Sequence, residues 1–355
     1  MTKLSDLGER NLISDIVAKY VEATIGDDCA VLEREAEQIV VTTDPVPPAA
    51  AEVIAGDSDP YWKGWLLTVI NASDLAASGA DPLALFVAAE APSDYSLDDF
   101  ERFLMGIKDS CKIEGLAYAG GNLREGKALS AVGVAIGARR PGSVLGRQGI
   151  SDGDKLVVIG EGGRFWMDAM ICANGGEILD KMASPLFAPR SEGRVMRALA
   201  NANLLSGAMD NSDGLLPSVS QLCNSNGLGA LIDLERLHKP KGYDDVKEIV
   251  SMHYHRLWLG WGDWNIVAAV SPDKLTQLVD IAASEDTDIC VCGEFRRDLS
   301  GTKLTHGGEM ADSPRIDSER FVTDSWFSMG IQGYIEMLSN AYLPKGGKTR
   351  AKQKE

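Results

Sequence analysis

Between Leu66 and Ala80 the chain reads LLTVINASDLAASGA. A helix from Trp62 to Ser78 is apolar almost all the way round, so it has to be buried on most of its sides. Yet one carboxylate, Asp74, stands inside it. An ionised aspartate in an apolar helix is costly unless it is paired or bound to a metal ion. The other account is a wet stripe along the helix, formed by Asn71, Ser73, Asp74 and Ser78. On sequence alone both accounts stand.

Three more stretches place side-chain oxygens at turns. Gly26-Asp27-Asp28-Cys29-Ala30 precedes a strand; adjacent acids in a glycine turn are ordinarily just solvated. Thr42-Thr43-Asp44-Pro45 closes a strand, with two hydroxyls and a carboxylate suited to a hard cation or a phosphate. Asp210-Asn211-Ser212-Asp213-Gly214 opens a helix that Ser212 or Asp213 can cap, with Pro217 tolerated in its first turn. A helix start of this kind also favours anions. Ala119-Gly120-Gly121-Asn122 reads as a turn after a strand, open to a phosphate. Arg147 is a candidate phosphate clamp. The four histidines show no zinc spacing beyond His253-x-His255, which reads as filler. Cys290-Val-Cys292 supplies two thiols, short of the usual four-ligand zinc set. Many oxygen donors and few histidines suit Mg²⁺-bound phosphate chemistry. No P-loop, dinucleotide-binding fingerprint or nucleophile elbow is present.

The 355 residues suffice for two cores. A net charge of −17 argues against nucleic-acid partners. No apolar run reaches membrane-spanning length, and the first residues lack a signal-peptide core. Scattered cysteines predict reduced thiols in a cytoplasmic protein. Helices and strands mix without a regular βα repeat, which predicts two α+β domains. The break at Arg139-Arg140-Pro141-Gly142 divides an N-terminal domain, 1–140, from a C-terminal α/β domain, 141–343. A lysine-rich tail, 344–355, is expected to be disordered.

Taken in order, GDDCAVL, TTD, NASDLAASGADP, AGGN, LGRQG, the Pro189-Arg190 pair, DNSDGLL and GDW resemble the thiamine-monophosphate kinase family. Its wider superfamily includes aminoimidazole ribonucleotide synthetase, selenophosphate synthetase and a hydrogenase-maturation protein. NASDLAASGA and DNSDGLL are the specific parts. The resemblance implies an N-terminal α/β domain that dimerises through its sheet, a C-terminal α/β domain, and ATP held with Mg²⁺ in a cleft. It implies metal ligation by Asp28, Thr42, Thr43, Asp44, Asp74, Asp210 and Asp213, with Asp44, Asp74, Asp210 and Asp213 at the reacting centre. It implies ATP contacts at Gly121, Asn122, Arg147 and Ser212, and substrate contacts at Asp263 and Trp264.

Three positions depart from the family pattern. Asn122 stands where the kinase carries a metal-binding aspartate. Pro47-Pro48-Ala49-Ala50-Ala51 replaces a histidine and an aromatic residue. Trp261-Gly262-Asp263-Trp264-Asn265 retains only the aspartate of Gly-Glu-Asp-Tyr-Glu. The expectation is an ATP- and Mg²⁺-dependent kinase that passes the γ-phosphate in line to a small-molecule acceptor, thiamine phosphate or a different one. The alternatives are a synthetase that phosphorylates a carbonyl or carboxyl oxygen, and a nucleotide-binding protein without catalysis.

Overall fold

The computed structural model describes residues 8–20, 27–141, 143, 145–316 and 326–345. After α1 (Gly8–Asp15), the first unit runs β1 (Ala30–Glu33), β2 (Gln38–Pro45), α2 (Ala50–Val53), α3 (Pro60–Ala77), β3 (Asp81–Ala91), α4 (Leu97–Glu114), β4 (Ala117–Glu125) and β5 (Ser130–Arg139). Its strands form one sheet in the order β1-β2-β5-β3-β4. The α4 crossover makes β3 and β4 parallel, while the other neighbours are antiparallel.

The second unit runs β6 (Lys155–Ile159), α5 (Arg164–Ala173), α6 (Gly193–Asn201), β7 (Leu205–Asp210), α7 (Leu215–Asn226), β8 (Gly229–Asp233), α8 (Tyr243–Val250), α9 (Tyr254–Leu257), β9 (Ile266–Val270), α10 (Leu275–Ser284), β10 (Ile289–Arg296), β11 (Thr302–His306), β12 (Glu309–Asp312) and α11 (Trp326–Asn340). Its seven strands lie in the order β12-β11-β8-β10-β6-β9-β7. The molecule is therefore α+β with two domains. Residues 1–7 and 346–355, where the N-terminal and tail expectations mostly fall, lie outside the described residues. The first two residues of the expected tail are held, with Pro344 O against His306 Nδ1 and Lys345 N donating to Glu309.

Helix α3 joins the two units. Asp59 caps it by accepting from Tyr61 N at 3.0 Å, and Pro60 takes the first helical position. Every residue from Gly64 to Ala77 is buried. One side packs on α4, another on β2, β3 and β5, and the far end reaches α6 and β7 of the second unit. The wet-stripe account fails, because Asn71, Ser73 and Asp74 are all buried, and so is Ser78. The α3–α4 crossing depends on two facing glycines. A Cβ on Gly64 would lie 2.0 Å from Phe103 O, and one on Gly106 would lie 2.0 Å from Tyr61 O. Backbones this close exclude any larger residue.

Two local expectations are corrected. Ala119-Gly120-Gly121-Asn122 is not a turn after a strand; it lies within β4, where Gly120 and Gly121 keep positive φ and the register shifts against β3. The N-cap of α7 is Gly214, at φ 103°, and no side chain caps that helix. Asn226-Gly227 does end it, with Gly227 left-handed. One face of the first sheet also carries exposed apolar side chains, Phe86 and Val132 among them.

Candidate active site

Four separate pieces of chain bring acids to one place. Asp28 precedes β1, Asp44 ends β2, Asp74 sits in the last turn of α3, and Asp210 ends β7. One carboxylate oxygen from each of Asp28, Asp74 and Asp210 lies within 4.8 Å of the others, the one such group among the described residues. Thr42 Oγ1 donates to Asp74 Oδ2 at 2.5 Å. Asp210 accepts from Ser73 Oγ at 3.2 Å and from Ser212 Oγ at 3.3 Å. Asn71, buried in α3, accepts from Asp44 N at 3.3 Å and so fixes the end of β2.

The electrostatics are unfavourable without a cation. Burial, then the neighbouring Asp28, pushes the Asp210 carboxyl up to about 8, against the pull of Arg147. Burial, then Asp210, Asp44 and Asp28, drives Asp74 well above the carboxylate range. Burial also raises Asp28, although Arg147 is paired to it. Like charges at this spacing disfavour each other's ionisation, and a divalent cation reverses that preference. The donor set fits Mg²⁺: all are oxygens, and ligands on opposite sides of the ion stand about 4.2 Å apart.

The remaining expected residues divide. Asp213 stands at the mouth, 3.6 Å from Arg10 and 3.5 Å from Gln221. Thr43 is one step along β2 from Thr42 and so on the opposite face; its hydroxyl donates to Gly133 O at 3.0 Å, away from the acids. Gly121 and Asn122 are not beside the acids. Asp44 pairs with Gly133, Gly133 with Val87 and Val87 with Gly121, so Gly121 is three strands away, about 14 Å. Arg147 is engaged with Asp28 and, at 3.1 Å, with Gln221 Oε1.

Beside the acids opens a cavity lined by Asp44, Asp74, Asp210, Ser212 and Asp213 at one end. Its other walls are Trp62, Leu66, Phe165, Phe187, Trp261 and Trp264, with Pro47 and Pro48 at the rim. Trp264 lines this cavity and has a positive φ of 55°. Asp263 is not on this cavity. Its carboxylate accepts from Gly163 N at 2.6 Å and Phe165 N at 2.9 Å, which ties down the start of α5. Burial pushes it up to about 7 despite those bonds. The sequence reading missed Trp62, Phe165 and Phe187. The only signal for them was aromatic residues next to prolines and glycines.

The sulfur and histidine pairs stay outside the chemistry. Cys290 and Cys292 each donate to a main-chain carbonyl. His253 Nδ1 accepts from His255 N at 3.4 Å, and the His253, His255 and His306 rings pack together without forming a metal-ligand group.

Residues 26–138 match the family model of the AIR synthase related protein N-terminal domain, and residues 151–302 match its C-terminal domain. The thiamine-monophosphate kinase of Halobacterium salinarum is 30% identical over 304 residues, covering 85% of this chain and 93% of that protein. That of Synechococcus elongatus is 27% identical over 295 residues, covering 79% and 88%. The crystal structure of the kinase from Stenotrophomonas maltophilia superposes with a TM-score of 0.68 at 26% identity, covering 84% of this chain and 96% of that one. AaThiL complexed with AMPPCP and TMP has the same fold, with a TM-score of 0.73 at 22% identity and coverage of 86% and 95%. On the match across both domains and across nearly the full length of its relatives, the chain belongs to the thiamine-monophosphate kinase family of the AIR synthase-like superfamily.

Proposed function

We propose that this chain is an ATP- and Mg²⁺-dependent kinase that phosphorylates the phosphate of thiamine monophosphate or a close analogue. One observation carries the reading: three buried carboxylates converge at the end of a cavity whose other walls are aromatic. A phosphate monoester with a flat, apolar or cationic body fits such a cavity, phosphate toward the acids and ring among Trp62, Trp261 and Trp264. Asp28, Asp74 and Asp210, with Asp44 and Asp213 beside them, would hold Mg²⁺, which would supply neutralisation of the charge on the transferring phosphoryl group. The chain itself positions. Thr42 and Ser73 orient the ligand carboxylates, Ser212 meets phosphate at the start of α7, and the aromatic walls exclude water. An acceptor phosphate oxygen bonds to the γ-phosphorus as the bridge to ADP breaks, and ADP leaves. No nucleophile on the protein is required.

The domain division at residue 140 is part of this proposal. So is a homodimer formed through the exposed sheet face, which would place Gly121 and Asn122 of β4 at the interface rather than at the acid cluster. A cytoplasmic setting accords with six free cysteines. No helix among the described residues is long and apolar enough to cross a membrane.

The test is a turnover assay with ATP, Mg²⁺ and thiamine monophosphate, following ADP and the diphosphate product, with light scattering for the dimer. ADP formed together with a phosphorylated acceptor supports the kinase. Inorganic phosphate released instead would move the chain to the synthetase class. No binding of ATP with Mg²⁺ by calorimetry would leave a non-catalytic homologue.

A further inference from the structure

Arg147 is paired to one of the carboxylates a metal ion needs. Its Nη2 forms a short ion pair with Asp28 Oδ1, on one of the three carboxylates that converge. Nη1 donates to Gln221 Oε1 at 3.1 Å, and the main-chain N donates to Asp27 Oδ1 at 2.7 Å. The pair is sequestered, with side-chain exposures of 20% for Arg147 and 6% for Asp28. Its Nε is buried and has no hydrogen-bond partner among the described residues. A guanidinium carries five donors in a fixed fork, and a seat that leaves a buried one unmet is not fully satisfying.

One guanidinium supplies one positive charge to a group of three carboxylates. A divalent cation on the same oxygens supplies two, and two cations on Asp28 repel each other at close range. We propose that Arg147 is a resident counter-ion that the divalent cation displaces. In the metal-free protein it quiets the acid cluster. When metal takes Asp28, the guanidinium is released from that carboxylate while Asp27 keeps its main chain in place. The freed fork is then available to a nucleotide phosphate, for which its planar donors are suited. This rests on the nucleotide-binding reading above. Metal binding thereby prepares the phosphate clamp, and by linkage the nucleotide favours the metal-bound state.

The consequence has an unexpected sign. Removing a phosphate-binding arginine should tighten the metal site. Mn²⁺ alone, without nucleotide, is titrated into the full chain and free Mn²⁺ is read by electron paramagnetic resonance. Arg147→Met and Arg147→Gln are expected to bind Mn²⁺ about tenfold more tightly than the wild type, equivalent to about 1.4 kcal/mol. Arg147→Lys, which keeps the charge, should stay near the wild-type value. Calorimetry with AMPPCP and saturating Mn²⁺ should show weaker nucleotide binding in the two neutral variants. Two different neutral replacements, each checked by thermal melting, guard against misfolding of one. Unchanged or weaker Mn²⁺ binding in both neutral variants overturns the proposal. Wild-type protein that lacks kinase turnover, with the Mn²⁺ shift intact, would instead overturn the kinase reading and leave the displacement standing.

Discussion

Replacing Asp210 by asparagine should make the metal-free protein more stable while abolishing its chemistry. The folded carboxyl is pushed up to about 8, chiefly by burial and by Asp28. In the unfolded chain an aspartate titrates near 3.9. The folded state therefore keeps a proton that the unfolded state releases, and stability falls as pH rises from about 4 to about 8. Integrated to pH 7, that mismatch destabilises the metal-free fold by roughly 4 kcal/mol. Asparagine removes the mismatch but offers one acceptor oxygen to Ser73 and Ser212, where the aspartate offers two. The lost acceptor costs about 1–3 kcal/mol. The net gain is about 1–3 kcal/mol, a rise in melting temperature of about 1–4 °C. The assay is thermal melting in EDTA at pH 5, 6, 7 and 8, repeated with Mg²⁺. The difference between Asp210→Asn and wild type should widen with pH and then narrow or reverse when Mg²⁺ is added. A variant that melts below wild type in EDTA at pH 8 would refute the charge-crowding argument.

Other perturbations separate positioning from packing. Asp213→Asn should lower kcat by at least about a hundredfold with an unchanged melting curve, since the carboxylate lies at the mouth and outside the core; unchanged turnover removes it from the metal set. Gly64→Ala drives a methyl group into Phe103 O and should destabilise by about 3 kcal/mol or more, read in urea unfolding; a variant within 1 kcal/mol of wild type would show that the α3–α4 crossing relaxes freely. Phe187→Ala, on the far wall of the cavity, should raise KM for the acceptor about tenfold with KM for ATP unchanged. Equal rises in both constants would mean the cavity does not separate the two substrates.

What could be read in the sequence depended on whether the signal was local. The α3 helix follows from an apolar run within one stretch. So does the sense that Asp74 needs a partner. Helix α5 was missed because Arg164 to Ala173 offers no capping side chain of its own: the N-cap is Gly163, and the anchoring carboxylate is Asp263, about a hundred residues away. The resemblance implies a substrate contact at Asp263, but those distant bonds hold its carboxylate at the start of α5. Its neighbour Trp264 lines the cavity, but a step of one residue turns the next side chain to the opposite side. The Ala119–Asn122 stretch was read as a turn because glycines usually mark one. In β4 they instead allow a close approach: a Cβ on Gly121 would lie 1.9 Å from Val87 O. A partner strand's position is not encoded in the glycines themselves.

The division of the acids between the domains gives the cation a second consequence. Asp74 comes from the helix of the first unit and Asp210 from the strand end of the second, so their repulsion acts across the seam between the units. Away from the acids, directional contacts also cross the seam: Trp65 Nε1 donates to Pro189 O at 2.7 Å, Lys181 pairs with Asp57 at 2.7 Å, and Ser191 N donates to Glu114. All three come from the 174–192 segment, whose residues Pro185, Leu186 and Phe187 wall the acceptor cavity. A cation that turns the Asp74–Asp210 repulsion into shared ligation draws the seam together and, through it, sets the wall against which the acceptor's ring lies. Metal occupancy and acceptor affinity should therefore be coupled even though no acceptor atom need touch the ion. The departures at Pro47, Pro48 and Trp264 lie on the walls of that cavity, while the carboxylates beneath are kept. A change of acceptor within this family can thus proceed on the walls without disturbing the charge arrangement that phosphoryl transfer requires.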